Sequence, residues 1–422
     1  MKRTFAVVAL ALVLRALQVF GQDVDLQREV EDLRRRVEQL ERSLRDEQEA
    51  RPPAWQAGYD RGFYIESPDG DYRVTINSTI QADGRFGLGG YPRQRDHLLL
   101  RHIRSSIEGW VAESYEFRIE YDFGKDAVEL KDGYINILAA RELEFRAGQF
   151  RAPFSVEELA PITSYRLVEK SVVCYLVPGY KVGTMVHGKW EPLSYSLGMF
   201  EGEKGDGNFL SAGRLVLSTA VRPGRPTVSL GINAAEDHGT RVSYNGREFR
   251  TDLQTAYLQY APGVVFSGRK VLLGGDLSCW GTPIGLVGEF VTSEEDLRKG
   301  LARGSMRNEG WYVQLSGVVT GENATALGVV PRHDFNPVRG YWGAFEIAAR
   351  FAQLHVDKDI LRMGFANKGS THEAEVITGG ANWYLNRHMK IMVDYVQSTF
   401  HNKLAYGSNS DQGIIVRFQL GF

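Results

Sequence analysis

Gly413-Ile414-Ile415-Val416-Arg417-Phe418-Gln419-Leu420-Gly421-Phe422 closes the chain. Read as an extended segment, it puts Ile414, Val416, Phe418, Leu420 and Phe422 on one face and Ile415, Arg417, Gln419 and Gly421 on the other. An apolar row opposite a mostly polar row, at a period of two, suits a strand with lipid on one side and water on the other. A final aromatic on the lipid row is expected where the last strand must close a wall against the first. A buried strand of a soluble sandwich would carry the same alternation, so the rest of the chain decides.

The alternation recurs from Tyr72 onward. Tyr115, Phe117, Ile119, Tyr121 and Phe123 oppose Glu116, Arg118, Glu120 and Asp122. Leu193, Tyr195, Leu197 and Met199 oppose Ser194, Ser196 and Gly198; Phe345, Ile347, Ala349 and Phe351 oppose Glu346 and Arg350; Ile391, Val393 and Tyr395 oppose Lys390, Met392 and Asp394. Arg118, set among acids, reads as a wall ion pair. Short turns such as 222–226 and 386–388 alternate with longer polar connections read at 235–250 and 281–308, the rim asymmetry of a membrane barrel. The long Pro-containing stretch 321–340 does not obey this rule, since it falls on the short-turn rim. The spacing predicts an all-β fold, a transmembrane antiparallel barrel of about 16 strands, a size that keeps a water-filled channel.

Composition agrees with many strands, tight turns and aromatic girdles: 422 residues hold 46 glycines and 19 tyrosines against 14 prolines. The net charge of −2 gives no global attraction to nucleic acid, so charge selectivity has to be local. Cys174 and Cys279 supply at most one disulfide, and sequence does not say whether they pair.

Four segments are expected. Residues 1–21 read as a signal peptide for Sec-dependent export, with Lys2 and Arg3 ahead of an apolar run from Phe5 to Leu14. Residues 22–50 read as a short periplasmic coiled coil on the seam Leu26, Val30, Leu33, Val37, Leu40, Leu44. Residues 51–70 read as a linker opened by Arg51-Pro52-Pro53, and 71–422 as the barrel. After the leader no apolar stretch is long enough to span as a helix, so strands must cross.

A connection of about thirty residues follows the strand read at Glu142 to Phe150, and it is too rich in Phe, Leu and Val for a solvated loop. Folded inward, it would narrow the lumen and turn Arg151, Arg166, Lys170 and Lys181 toward a permeating species. An enzymatic reading lacks its chemistry: Gly-x-Ser-x-Gly is absent, and Gly87-Leu88-Gly89-Gly90 lacks the lysine and helix of a phosphate cradle. His333 beside Asp334, and His355 near Asp357, match no ligand spacing and read as polar connections. No cofactor is expected.

Several segments resemble the phosphate-selective porin family, porins O and P. They are 148–159 (Gly-Gln-Phe-Arg-Ala-Pro-Phe-Ser-Val-Glu-Glu-Leu), 310–314, 340–350 and, most specifically, Gly379-Gly380-Ala381-Asn382-Trp383-Tyr384-Leu385-Asn386-Arg387. The coiled-coil leader also resembles that of many members. The resemblance implies an outer-membrane trimer, a third loop folded into the lumen, and arginines leading small anions, phosphate or polyphosphate among them, to a lysine-rich zone. It implies that Arg101 and Arg104 match a basic pair, Arg151 the start of the loop, and Asp132 a pore acid. Where members carry a lysine cluster ahead of Gly310-Trp311, this chain has Arg298, Lys299, Arg303 and Arg307, a departure toward guanidinium groups that hold oxyanions in a fork. Outer-membrane lipids and two further copies of the chain are the expected partners. The alternatives are a general diffusion porin, or a structural barrel tethered through its coiled coil.

Overall fold

The computed structural model describes residues 31–42, 55–89, 96–124, 127–202, 207–219, 226–405 and 407–422. The expected signal peptide lies outside them. The chain divides into two compact units, Met1–Gln56 and Ala57–Phe422. In the first, residues 31–42 are helical, with Asp32 and Arg36 paired one turn apart. Leu33, Val37 and Leu40 of the expected seam are exposed in the single chain, and Leu26, Val30 and Leu44 fall outside the described residues.

The second unit is a closed antiparallel barrel of sixteen strands, each paired with its sequence neighbours from Arg73–Gly89 to Ser410–Gly421. The last strand returns to the first, with Gly421 opposite Thr79 and Ile414 opposite Phe86. Phe422 extends the closure by one residue: its N–H donates to Ser78 O at 2.9 Å and its carbonyl accepts from Ser78 N at 2.7 Å. A closed wall satisfies the backbone without an open edge, the condition for crossing lipid with strands. The two rows of the C-terminal segment separate as expected, with Ile415, Arg417 and Gln419 buried inside and Phe418 and Leu420 exposed outside.

Two readings of the connections need correction. Residues 235–243 continue the strand Thr227–Ser243, and 281–308 hold only the turn 281–283 before two further strands, Ile284–Lys299 and Ala302–Val318. About 9–11 residues suffice to cross the hydrocarbon. Strands of 16 and 17 residues therefore stand well above it, and their polar upper halves read as loop. The linker also ends early, because Phe63–Glu66 is a short strand paired with Arg73 to Ile76.

The interior is unevenly filled. The connection 152–179 folds into the lumen, and with parts of 244–264 and 356–372 it packs on the inner row of the strands from Val265 to Phe400. Phe154, Val168, Val172 and Val173 join Phe249, Leu253, Leu258 and Phe365, all nearly inaccessible, against Leu272, Val291, Met306, Tyr312, Ala352 and Val396. Each such side chain contributes on the order of 1.5–3 kcal/mol by leaving water. The inner row between His97 and Arg151 is polar instead, with Arg104, Ser106, Glu120, Asp122 and Asn136.

The awkward stretch 319–343 is a shelf on the short-turn rim. Its Ala324 and Val329 bury against Val318, Ala344 and Tyr384, and its backbone is tied to the neighbouring turn by Gly281 N to Ala324 O and Ala324 N to Thr282 O, both 2.8 Å. Cys174 lies in the inward loop, while Cys279 shares the outward row with Leu277; both are free thiols.

Candidate channel constriction

Gly148 lies within the strand Leu143–Arg151 that leads to the inward loop and permits a close approach to the next strand: its φ is +130°, and a Cβ there would meet Gly133 O at 2.2 Å. Ser155 then caps the helical turn Val156–Leu159 by accepting from Glu158 N, while its hydroxyl donates to Glu289 at 3.0 Å. Ionic contacts add to the apolar packing that fixes the loop to the wall. Glu169 takes a two-pronged bond from Arg101, Nε to Oε1 at 2.9 Å and Nη2 to Oε2 at 3.0 Å, and is also held by Arg85. Arg417 stands 3.9 Å from Glu169, grips Asp83 with two bonds of 2.7 Å and donates to Val168 O at 2.6 Å. Burial opposes a charge on Glu169, yet Arg101, Arg85 and Arg417 outweigh it and hold the carboxyl well below its usual range.

Further anchors follow the same logic. Arg350 bridges Glu157 of the inward loop and Asp252 of the loop 244–264, each at 3.0 Å. Lys390 donates to Tyr165 O at 2.7 Å, and Asp394 accepts from Val168 N at 2.6 Å. Arg166 joins the loop to the shelf: it donates to Ser164 O, Thr325 O and Ala326 O, lies 3.5 Å from Glu346 and stacks over Trp280.

A cavity of about 310 Å³, the candidate passage, lies between the inward loop and the wall. One wall is Leu159, Pro161, Ile162 and Thr163 of the loop; the other carries Arg104, Arg118, Arg146 and Arg151 with Glu120, Asp132, Tyr134 and Tyr180. Arg104 is paired to Asp122 at 3.1 Å and Glu120 at 3.2 Å. Arg118 touches Glu108, Glu120 and Asp132. Arg151 and Arg146 differ: among the described residues neither has a carboxylate in ion-pair range. Arg151 donates to Ala160 O at 2.8 Å and lies over Tyr180, while Arg146 lies over Tyr134 at 4.2 Å. These two guanidinium groups are therefore not locked in a direct ion pair, and the aromatic faces stabilise them without neutralising them.

The residues expected at the pore therefore separate. Arg104, Asp132 and Arg151 line the passage. Arg101 and Arg166 are committed to holding the loop. Lys170 is paired with Glu158 inside the loop, and Lys181 donates to Gly202 O at 2.9 Å. Arg298 and Lys299 end a strand at the long-loop rim, bound to Gly300 O and Gly364 O. Arg303 and Arg307 share the exposed outward row of Trp311, Val313 and Leu315, so they face away from the lumen. Tyr134 and Tyr180 were not singled out by the sequence; alternation with Leu143, Phe145 and Ala147 does turn Arg146 inward, although it was not among the expected pore residues. Arg118 is a wall ion pair as read, and it lines the passage as well.

The family model for phosphate-selective porin O and P matches residues 74–422, nearly the whole barrel. The chain belongs to that family. It is 20% identical over 401 residues to Porin O of Pseudomonas aeruginosa, covering 86% of this chain and 91% of the relative. Among solved structures, the outer membrane channel DcaP of Acinetobacter baumannii superposes with a TM-score of 0.55 at 10% identity, over 87% of this chain and all of its own. The anion-selective porin from Comamonas acidovorans superposes with a TM-score of 0.51 at 12% identity, over 83% of this chain and 99% of that one. At such identities the superpositions speak for a shared fold. The family and the closed barrel make this protein an outer-membrane porin.

Proposed function

We propose that small anions cross the outer membrane through the passage between the inward loop and the wall strands 97–151, drawn by Arg146 and Arg151. The observation that carries this reading is that among the described residues neither Arg146 nor Arg151 has a carboxylate in ion-pair range, whereas Arg104 and Arg118 beside them are bound by Glu120, Asp122, Asp132 and Glu108. A narrow lumen with low-dielectric walls focuses that local charge although the whole chain is near neutral. Guanidinium forks suit oxyanions such as phosphate, and no lysine lines this passage among the described residues. Chloride and phosphate are both expected to enter, with phosphate dwelling longer.

Purified protein in a planar bilayer under a salt gradient tests the reading: the reversal potential is expected on the anion side, and added phosphate should reduce chloride current. A reversal potential near zero would favour the general diffusion porin. The exposed Leu33, Val37 and Leu40 support a homotrimer in which short coiled coils associate once barrels pack. Removing residues 26–44 should leave a trimer that dissociates at lower temperature, whereas a monomeric intact protein by cross-linking would end this part of the reading.

A further inference from the structure

Three neighbouring strands end together at the long-loop rim, and their outward rows finish on metal-ligating residues. His355 closes the strand Ala344–His355, Glu373 opens Glu373–Tyr384 directly opposite it, and His401 follows Met389–Phe400. His372, the last residue of the loop 356–372, is the fourth member. Its ring lies 5.3 Å from that of His355 and 5.0 Å from that of His401, and His401 Nδ1 stands 3.7 Å from Glu373. One ligand atom each from His355, His372 and Glu373 lies within 4.8 Å of the others.

Two observations point to a ligand. His372 Nδ1 is buried yet has no hydrogen-bond partner among the described residues, a costly arrangement for an imidazole nitrogen unless something binds it. The backbone also holds the donors in place: Val356 N donates to His372 O at 2.7 Å, and Gln353 Nε2 orients the Glu373 carboxylate at 2.8 Å.

We propose that His355, His372 and Glu373, with His401 as a fourth ligand, form a site for a divalent borderline metal ion of the zinc, nickel or copper type on the outer rim of the barrel. Imidazole nitrogens with one carboxylate are the donor set such ions select, whereas calcium and magnesium prefer oxygen alone. Tetrahedral zinc with bonds of about 2.0–2.1 Å needs its ligand atoms at roughly 3.4 Å, so closure takes small rotations of side chains at the rim. The bound ion would tie the end of the loop 356–372 to the start of the loop 401–409. Because His355, Glu373 and His401 follow the outward row, the site is separate from the passage, whose lining includes none of the four.

The test is calorimetric titration of zinc chloride into the intact, detergent-purified protein at neutral pH, with copper(II) electron paramagnetic resonance as a second probe. One saturable site per chain and nitrogen hyperfine from imidazole are expected. H372A and H355A should each weaken binding at least about tenfold, H401A less, and H333A, whose ring stacks on Tyr341 elsewhere, not at all. H372N serves where H372A does not assemble, folding being checked by mobility on unheated gels. Absence of saturable binding, or binding unchanged in the H355A/H372A double variant, would overturn the proposal.

Discussion

Arg101 and Glu169 meet in a two-pronged ion pair across the boundary between the barrel wall and the inward loop, with both bonds at 2.9 to 3.0 Å. The same carboxylate is shared with Arg85, and Arg417 stands close by. Both members of the basic pair expected to meet a solute are thus occupied by the protein's own carboxylates, Arg101 by Glu169 and Arg104 by Asp122 and Glu120. An arginine saturated by a fixed carboxylate holds structure; one left unsaturated, as Arg146 and Arg151 are, presents a field to mobile ions.

Neutralising the clamp should loosen the loop. Glu169→Gln would leave Arg85, Arg101 and Arg417 buried without their shared counter-ion, a local cost of about 3–5 kcal/mol. The barrel should still assemble, because its strand pairing is untouched. Single-channel recordings are expected to show larger and noisier openings, and quiet openings of unchanged size would mean that the apolar contacts alone fix the loop.

Acid should act through the same residue. The folded Glu169 carboxyl titrates well below its ordinary 4.5, so its contribution is fully present above that pH and is lost as pH falls from there toward the folded value. The share of the wild-type channel's noise that comes from Glu169 is expected to rise only below about pH 4.5, where the carboxyl released from the clamp would protonate. Glu169→Gln should show the noise at every pH. A wild-type transition between pH 6 and 7 instead would assign the acid response to another group.

The C-terminal aromatic should matter for closure. Phe422 exchanges two backbone hydrogen bonds with Ser78, and its ring sits edge-on to Phe63 at 6.0 Å. Deleting it removes two bonds worth about 0.5–1.5 kcal/mol each and the lipid-row aromatic at the seam. Lower heat stability on unheated gels and reduced surface abundance are expected; unchanged values for both would show that the seam closes without it.

Much of this molecule is legible in its sequence because a barrel writes one rule in every strand. The alternation of Phe345, Ile347 and Ala349 with Glu346 and Arg350 states which side meets lipid without reference to any distant residue. The upper halves of the strands at 284–318 were hidden because, above the hydrocarbon, both rows turn polar; Ser293, Glu294 and Glu295 look the same in a strand as in a loop. The site was less legible for a different reason. Arg101, Arg146 and Arg151 carry identical groups, and their roles depend on whether Glu169, distant in sequence, reaches one of them. The shelf at 319–343 was unreadable alone, since its contacts are with residues distant in sequence, Arg166 of the inward loop among them.

The most direct measurement is the reversal potential of the double variant Arg146→Glu/Arg151→Glu in a salt gradient, set beside Arg303→Glu/Arg307→Glu and the wild type. The first pair lines the passage, whereas the second stands on the outward row, screened over roughly 10 Å by salt and separated from the lumen by the wall. The anion-side potential of the wild type should move to the cation side in the first variant and stay in place in the second. Equal shifts in both, or none in the first, would contradict conduction through this passage.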